Sequence, residues 1–178
     1  MKHIIATFCK GGSGKSSLIR YTASTLQRLN YKVLVENIDE QHHQNCNPVE
    51  NPDFTLYDTP GWLTSELIEL LDAASDLVKE NKEDLKILVP ISCSLDEWQE
   101  FGLMLNILGS RHLLDNIVVI FNQTDYRNTD LKAYKALLKE ININYAKTII
   151  PSITAIKRKQ ETSKIKNVFS QLLHEVIL

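Results

Sequence analysis

The run Lys10-Gly11-Gly12-Ser13-Gly14-Lys15-Ser16-Ser17 constrains the fold of this chain more than any other feature. It stands between an apolar run of strand type, His3 to Phe8, and a helical pattern that opens at Ser17-Leu18-Ile19-Arg20-Tyr21. Gly11, Gly12 and Gly14 tolerate positive φ and close backbone approach, so successive N–H groups can converge on phosphate oxygens. Lys15 is spaced to reach the β and γ phosphates, and the Ser16 hydroxyl to ligate Mg²⁺. Strand, glycine-rich turn and helix N-terminus form the context a phosphate cradle needs; a merely flexible Gly/Ser turn does not require it. The usual spacing G-x-x-x-x-G-K-[ST] calls for glycine at position 9, where this chain has Cys9, and a second lysine, Lys10, heads the loop instead.

Further apolar β-type runs recur at Lys32 to Asn37, Phe54 to Asp58, Lys86 to Ile91, Asn116 to Phe121 and Ala146 to Ile150. Helical periodicity fills most of the intervals: Ser16 to Leu29, Ser65 to Val78, Leu95 to Leu108, Asp130 to Glu140 and Ser163 to Ile177. Leu18, Ile19, Ala23, Leu26 and Leu29 share one face of the first. Strands that alternate with helices and read as continuous apolar runs imply a mostly parallel sheet covered on both faces, a three-layer α/β architecture. Glu40 to Asp53, polar and with Pro48 and Pro52, reads as a loop. At 178 residues the expectation is one domain, residues 1–178, able to bury roughly 70% of its unfolded surface.

The net charge of −2 argues against a chain that is basic all over, though not against a local basic patch. Cys9, Cys46 and Cys93 are odd in number and widely spaced, so neither a disulfide framework nor a zinc site is suggested. No stretch approaches the ~20 apolar residues of a membrane span, and the start offers no room for a signal peptide. A cytoplasmic protein is expected.

Ligands of parallel sheets bind past the carboxyl ends of the strands, which makes a test available from the residues alone. Cys9 to Ser16 follow the first run, Asp39 the second, Asp58 closes the third, and Asn122 and Asp125 follow the fifth. Asp58, ending Phe54-Thr55-Leu56-Tyr57, suits an acid behind the metal of a bound nucleotide. Thr59-Pro60-Gly61 after it is a candidate switch segment that a γ-phosphate could order.

With these residues in view, the chain resembles the deviant Walker A ATPases of the ParA/MinD type, a branch of the P-loop NTPases that positions plasmids, chromosomes and other cargo. The resemblance rests on Lys10 to Ser17, Asn37-Ile38-Asp39-Glu40-Gln41, Asp58-Thr59-Pro60, Val89-Pro90 and Asn122, and is closest to short partition proteins without an added DNA-reading domain. It implies a slow, partner-stimulated ATPase that uses ATP and Mg²⁺ and forms a homodimer on ATP binding. Lys10 would cross the dimer interface to the partner's nucleotide, and Gly11, Gly12, Ser13, Gly14, Lys15, Ser16 and Ser17 would bind phosphate. Ser16 and Asp58 would hold the metal, Asp39 would orient the attacking water, and Asn122 would lie near the adenine. A cation delivered across an interface neutralises transition-state charge whatever the family is called.

The chain departs from that family where D-x-D-P-Q is common: it reads Asn37-Ile38-Asp39-Glu40-Gln41, and the stretch from Asp39 to Asp58 is shorter than usual. The altered segment keeps open a nucleotide-gated module, recruiting a conjugation or DNA-processing complex with little turnover. Asn122-Gln123-Thr124-Asp125 is one residue from the N-K-x-D of GTPases, so GTP stays open beside ATP, and a plain turn stays open beside both. A biosynthetic ligase of the same superfamily is a further reading.

Lys157, Arg158, Lys159, Lys164 and Lys166 against one acid, Glu161, form either a solvated helix start or a contact for DNA phosphates, with nucleoid association as the consequence. A small ParB-like adaptor is the expected protein partner. Glu66 to Asp84 holds seven acids and two bases, suited to solvent or a basic adaptor. Ile165, Val168, Phe169, Leu172, Leu173, Val176 and Ile177 line one face of the last helix, which is read as docking on the core rather than on a membrane. Trp62 and Trp98 suit either core or interface. His42 and His43 lack a third metal ligand and read as solvated.

Overall fold

The computed structural model describes residues 1–38, 49–80, 85–152 and 154–178. Six parallel strands make one sheet in the order β2-β3-β1-β4-β5-β6. They are β1 (Lys2–Ala6), β2 (Val33–Asn37), β3 (Phe54–Asp58), β4 (Leu85–Ile91), β5 (Ile117–Phe121) and β6 (Asn144–Tyr145). The helices are α1 (Lys15–Arg28), α2 (Ser65–Glu80), α3 (Leu95–Gly109), α4 (Asp130–Glu140), the short α5 (Thr154–Lys157) and α6 (Ser163–Val176). This is the three-layer α/β fold expected of a P-loop NTPase.

The apolar runs become strands because both of their faces are covered. Along β1, Ile4 and Ala6 join a core with Leu18 and Leu26 of α1 and Phe169 and Leu172 of α6. Ile5 joins a second core on the opposite face, with Leu67 and Leu71 of α2, Phe101 and Met104 of α3 and Leu138 of α4. That alternation is the two-residue period of a strand expressed as two layers of helix. β5, between β4 and the edge β6, is buried at every position, whereas the edge β2 exposes Glu36.

The last strand differs from expectation. The run Ala146 to Ile150 does not form a strand; β6 comes earlier and spans only Asn144–Tyr145. Ala146 N–H still donates to the Val119 carbonyl and Ile150 N–H to the Phe121 carbonyl, both at 2.9 Å, but the chain bends outward between them. The bend exists because Glu175 of α6 replaces the ladder. Its carboxylate accepts from the Lys147 N–H, from the Thr148 N–H at 3.0 Å and from the Thr148 hydroxyl at 2.8 Å. An isolated bridge between Asn122 and Ile150 then restores register.

The apolar stripe of α6 is spent on the core: Ile165, Phe169, Leu172 and Leu173 are all buried, and Phe169 lies against Tyr21 of α1 with ring centroids 5.0 Å apart. Each such side chain contributes roughly 1.5–3 kcal/mol on burial. Thr162 starts α6 by accepting the Ile165 N–H, and Ser94 starts α3 by accepting the Glu97 N–H. No helix among the described residues is long and apolar enough to cross a membrane.

Candidate functional site

Helix α1 begins unlike α3 and α6. Its N-cap is Gly14, at φ 94°, with no side-chain cap and no acid in the first turn. The N-terminal N–H groups and their dipole are therefore left for an anion. Gly12, at φ 81°, supplies the other left-handed turn of the loop.

A loop whose N–H groups face a phosphate must turn its carbonyls the other way, and those carbonyls need donors. Three are provided. The Asn122 amide donates to the Ser13 carbonyl at 2.6 Å, the Gln123 amide to the Gly12 carbonyl at 3.1 Å, and Lys15 Nζ to the Lys10 carbonyl at 3.4 Å. The approach of Asn122 is so close that a Cβ on Gly14 would lie 2.2 Å from its amide nitrogen. Gln123 itself sits at φ 53°, an uncommon conformation for its type, directly after the last buried residues of β5.

The second wall comes from β3. Register pairs Asp58 with Ala6 on one side and with Asn37 on the other, so Asp58 reaches the sheet edge just where the loop departs. Thr59 is buried and donates its hydroxyl to the Ala6 carbonyl at 2.8 Å. A Cβ on Gly61 would meet the Gly11 Cα at 2.8 Å, so the Thr59–Gly61 segment packs backbone to backbone on the loop.

Lys15 is only 6% exposed, and Lys10 is half-buried at the head of the loop. Ser16 is exposed and Ser17 half-buried, while Ser13 is buried with its hydroxyl unpartnered among the described residues. The uncapped helix, the two left-handed glycines and the unpartnered Ser13 hydroxyl fit a bound polyphosphate. Burial pushes the Cys9 thiol up, Glu100 adds to that, and Lys15 only partly opposes it, so Cys9 stays a thiol.

A cleft continues from the loop, lined by Gly14, Ser17, Asn122 and Gln123 on one side and Pro151, Ser152 and Ile156 on the other. Asn122 thus borders the cleft while also holding the loop. Gln123, Pro151, Ser152 and Ile156 were not singled out in the sequence. The strand-end rule finds the last three once it is applied to the residues after the sixth apolar run. Asp125 does not line the cleft; its exposed carboxylate is held by Arg127 at 2.7 Å, whose hydrogen bonds bring its pKa down to about 2.

Asp39, Glu40, Gln41, His42, His43 and Cys46 lie outside the described residues. Of the basic group, Arg158, Lys159, Lys164 and Lys166 are exposed, Lys166 lying 3.6 Å from Glu161; the side chain of Lys157 lies outside the described residues. The acids of α2 face solvent at Glu69, Asp72, Asp76 and Glu80, and Asp72 pairs with Arg111 at 2.7 Å. Trp98 stacks on Tyr134 with centroids 4.1 Å apart, whereas Trp62, beside the loop segment, is 58% exposed.

No family model and no curated protein matches the sequence. Solved structures do match over nearly the whole chain. A MinD cell division protein from Aquifex aeolicus is 16% identical, with a TM-score of 0.68, 100% of this chain covered and 99% of that one. A putative plasmid partition protein from Borrelia burgdorferi, bound to AMPPNP, is 14% identical, with a TM-score of 0.71 and 97% of each chain covered. A cobyrinic acid a,c-diamide synthase from Mycobacterium smegmatis, with bound ADP and magnesium, is 12% identical, with a TM-score of 0.70 and coverage of 98% and 95%. At such identities the likeness establishes a shared fold, and that fold is the one found in MinD and partition-type proteins.

Proposed function

We propose that residues 1–178 form one ATPase domain that dimerises on Mg-ATP, hydrolyses it slowly to ADP and phosphate, and uses the cycle to position DNA cargo. The observation that carries the reading is the tied-back loop: with the Gly12, Ser13 and Lys10 carbonyls engaged by side-chain donors, the loop is held in the form that a phosphate cradle needs. Such preorganisation spares the ligand the cost of ordering the loop.

In this reading Gly11 to Ser17 bind the phosphates and Lys15 offsets their charge. Ser16 and Asp58 would hold Mg²⁺, which supplies further charge neutralisation when bound. Asp39 orients the attacking water. Lys10, half-buried at the loop head, reaches the nucleotide of a second copy, so its charge is withheld until two chains meet. Thr59–Gly61, packed on Gly11, couples loop occupancy to the adjoining surface.

The cleft favours adenine over guanine as the base, because Asp125, the acid that would read guanine, is occupied by Arg127 and does not line it. Arg158, Lys159, Lys164 and Lys166, with Lys157, give each protomer a basic face for salt-sensitive DNA contact, and a small DNA-binding adaptor stimulates turnover. Nucleoid association in the cytoplasm follows. Asn37 in place of the usual acid supports a second reading, a nucleotide-gated recruitment module with little turnover.

Sedimentation with and without Mg-ATP is the test, together with phosphate release by the parent and Asp39→Ala. ATP-dependent dimers and release that Asp39→Ala abolishes are expected. Dimers without release support the recruitment module, and tighter binding of GTP than of ATP would reject the assignment of the base. A product other than ADP and phosphate would indicate a ligase.

A further inference from the structure

We propose that the trough between α4 and the open edge of β6 is a docking site for an extended, acidic peptide segment of a partner protein. Two hollows meet there. One is floored by Leu131 and rimmed by Tyr126, Lys132, Lys135, Lys139 and Tyr145, and the next shares Lys139 and Tyr145 and runs on to Asn142. No carboxylate among the described residues lines either hollow. Three positive charges on one trough, in a chain of net charge −2, are a local field rather than a general property of the surface.

One of the cations is held in place. Lys135 Nζ lies 5.6 Å from the ring centres of both Phe121 and Tyr145, which keeps it over the trough. Lys135 and Lys139 are one helical turn apart, about 6 Å along the axis. Carboxylates on alternate residues of an extended chain recur at about 6.6 Å, close to that spacing.

The backbone edge supports a peptide. β6 is the last strand of the sheet, and its neighbour Ala146 points its N–H inward to Val119. By the alternation of a strand, the Tyr145 N–H and carbonyl face the open side. Downstream, the Glu175 carboxylate covers the Lys147 and Thr148 N–H groups, so added pairing is confined to the part of the edge that borders the lysines. A peptide can therefore pair its backbone with Tyr145 while its acids meet α4, the two contacts that strand addition uses.

Single-stranded nucleic acid is the weaker fit. It would need open aromatic faces for its bases, yet Tyr126 already carries the Arg127 guanidinium 5.8 Å from its ring centre, and Tyr145 carries Lys135.

The test is fluorescence anisotropy of the full chain with a fluorescein-labelled Glu-Thr decapeptide, a Gln-Thr peptide as control and a ten-nucleotide oligothymidine as competitor. We expect the Glu-Thr peptide to bind at low salt and the Gln-Thr peptide not to. Lys132→Glu with Lys139→Glu should weaken binding by about tenfold or more, whereas Lys2→Glu with Lys32→Glu, at exposed positions away from the trough, should leave it unchanged. Hydrogen exchange at Tyr145 should slow in the complex. Should the doubly reversed chain unfold, Lys132→Gln with Lys139→Gln provides the same comparison, with an expected loss of about threefold. Equal binding by parent and trough variants, no slowing at Tyr145, or oligonucleotide binding that the trough variants weaken more than they weaken peptide binding would each overturn the proposal.

Discussion

Asn122 and Ser13, 109 residues apart in the chain, are joined by a 2.6 Å hydrogen bond from side-chain amide to backbone carbonyl. That single contact ties the end of β5 to the glycine-rich loop, and it is close enough to exclude any side chain at position 14.

Removing the amide should loosen the loop before it unfolds the protein. Asn122→Ala strands a buried carbonyl, at a cost of about 1–3 kcal/mol, part of which falls on nucleotide binding. Calorimetric titration should show ATP affinity reduced by about tenfold. Gly14→Ala should do more harm, because it adds a contact at 2.2 Å and an unfavourable φ of 94° at once.

Lys10 and Lys15 should separate cleanly in their effects. Lys15→Ala is expected to abolish ATP binding measured by titration. Lys10→Ala should retain it within about threefold while losing the ATP-dependent dimer in sedimentation. If Lys10→Ala dimerises as the parent does, the role of this residue across an interface is wrong.

The two tryptophans offer an internal probe. Trp98 is half-buried against the core and stacked on Tyr134, while Trp62 is 58% exposed and follows the segment packed on the loop. Mg-ATP should protect Trp62 from acrylamide quenching in a Trp98→Phe background. Unchanged quenching at saturating nucleotide would separate Trp62 from both switch and interface.

Acid stability should depend on Glu175. Burial raises the pKa of its carboxyl, but the Lys147 and Thr148 N–H groups and the Thr148 hydroxyl together lower it below the ordinary 4.5. The unfolded chain therefore takes up the proton first as pH falls. The stabilisation is complete above the ordinary carboxylate range and is lost as pH drops below 4.5 toward the folded value. Urea unfolding of Glu175→Gln should show a lower stability than the parent at pH 7 and a smaller further decline into acid.

The contact between α6 and α1 should carry much of the fold. Phe169→Ala empties a fully buried site beside Tyr21 and should cost about 3–5 kcal/mol in chemical denaturation. An effect below about 1 kcal/mol would mean that α6 is not the core element described.

Much of this arrangement is legible in the residues. Lys10 to Ser17 between an apolar run and a helical one names a phosphate loop, and the alternation of runs names a parallel sheet. Asp58 was expected to close the third run and Asn122 to follow the fifth, and both do. In the sequence, position 123 stands out only as the departure from N-K-x-D, because a glutamine after a strand has no local reason to hold a loop. Its meaning comes from Gly12, 111 residues earlier. The misplaced sixth strand has the same origin: nothing in Ala146 to Ile150 reveals that Glu175 will outcompete the ladder for two N–H groups.

Periodicity and loop chemistry are local, acting through φ, ψ and side chains a few residues apart, so the sequence by itself determined the first five strands, the long helices and the place of the glycine-rich loop. Tertiary structure alone decided which donor meets which carbonyl. It sent Asn122 and Gln123 to the loop, withdrew Asp125 toward Arg127, and opened the trough beside β6. Hydrogen bonds are short-ranged and directional, and only the packed sheet brings chain segments this distant within their reach.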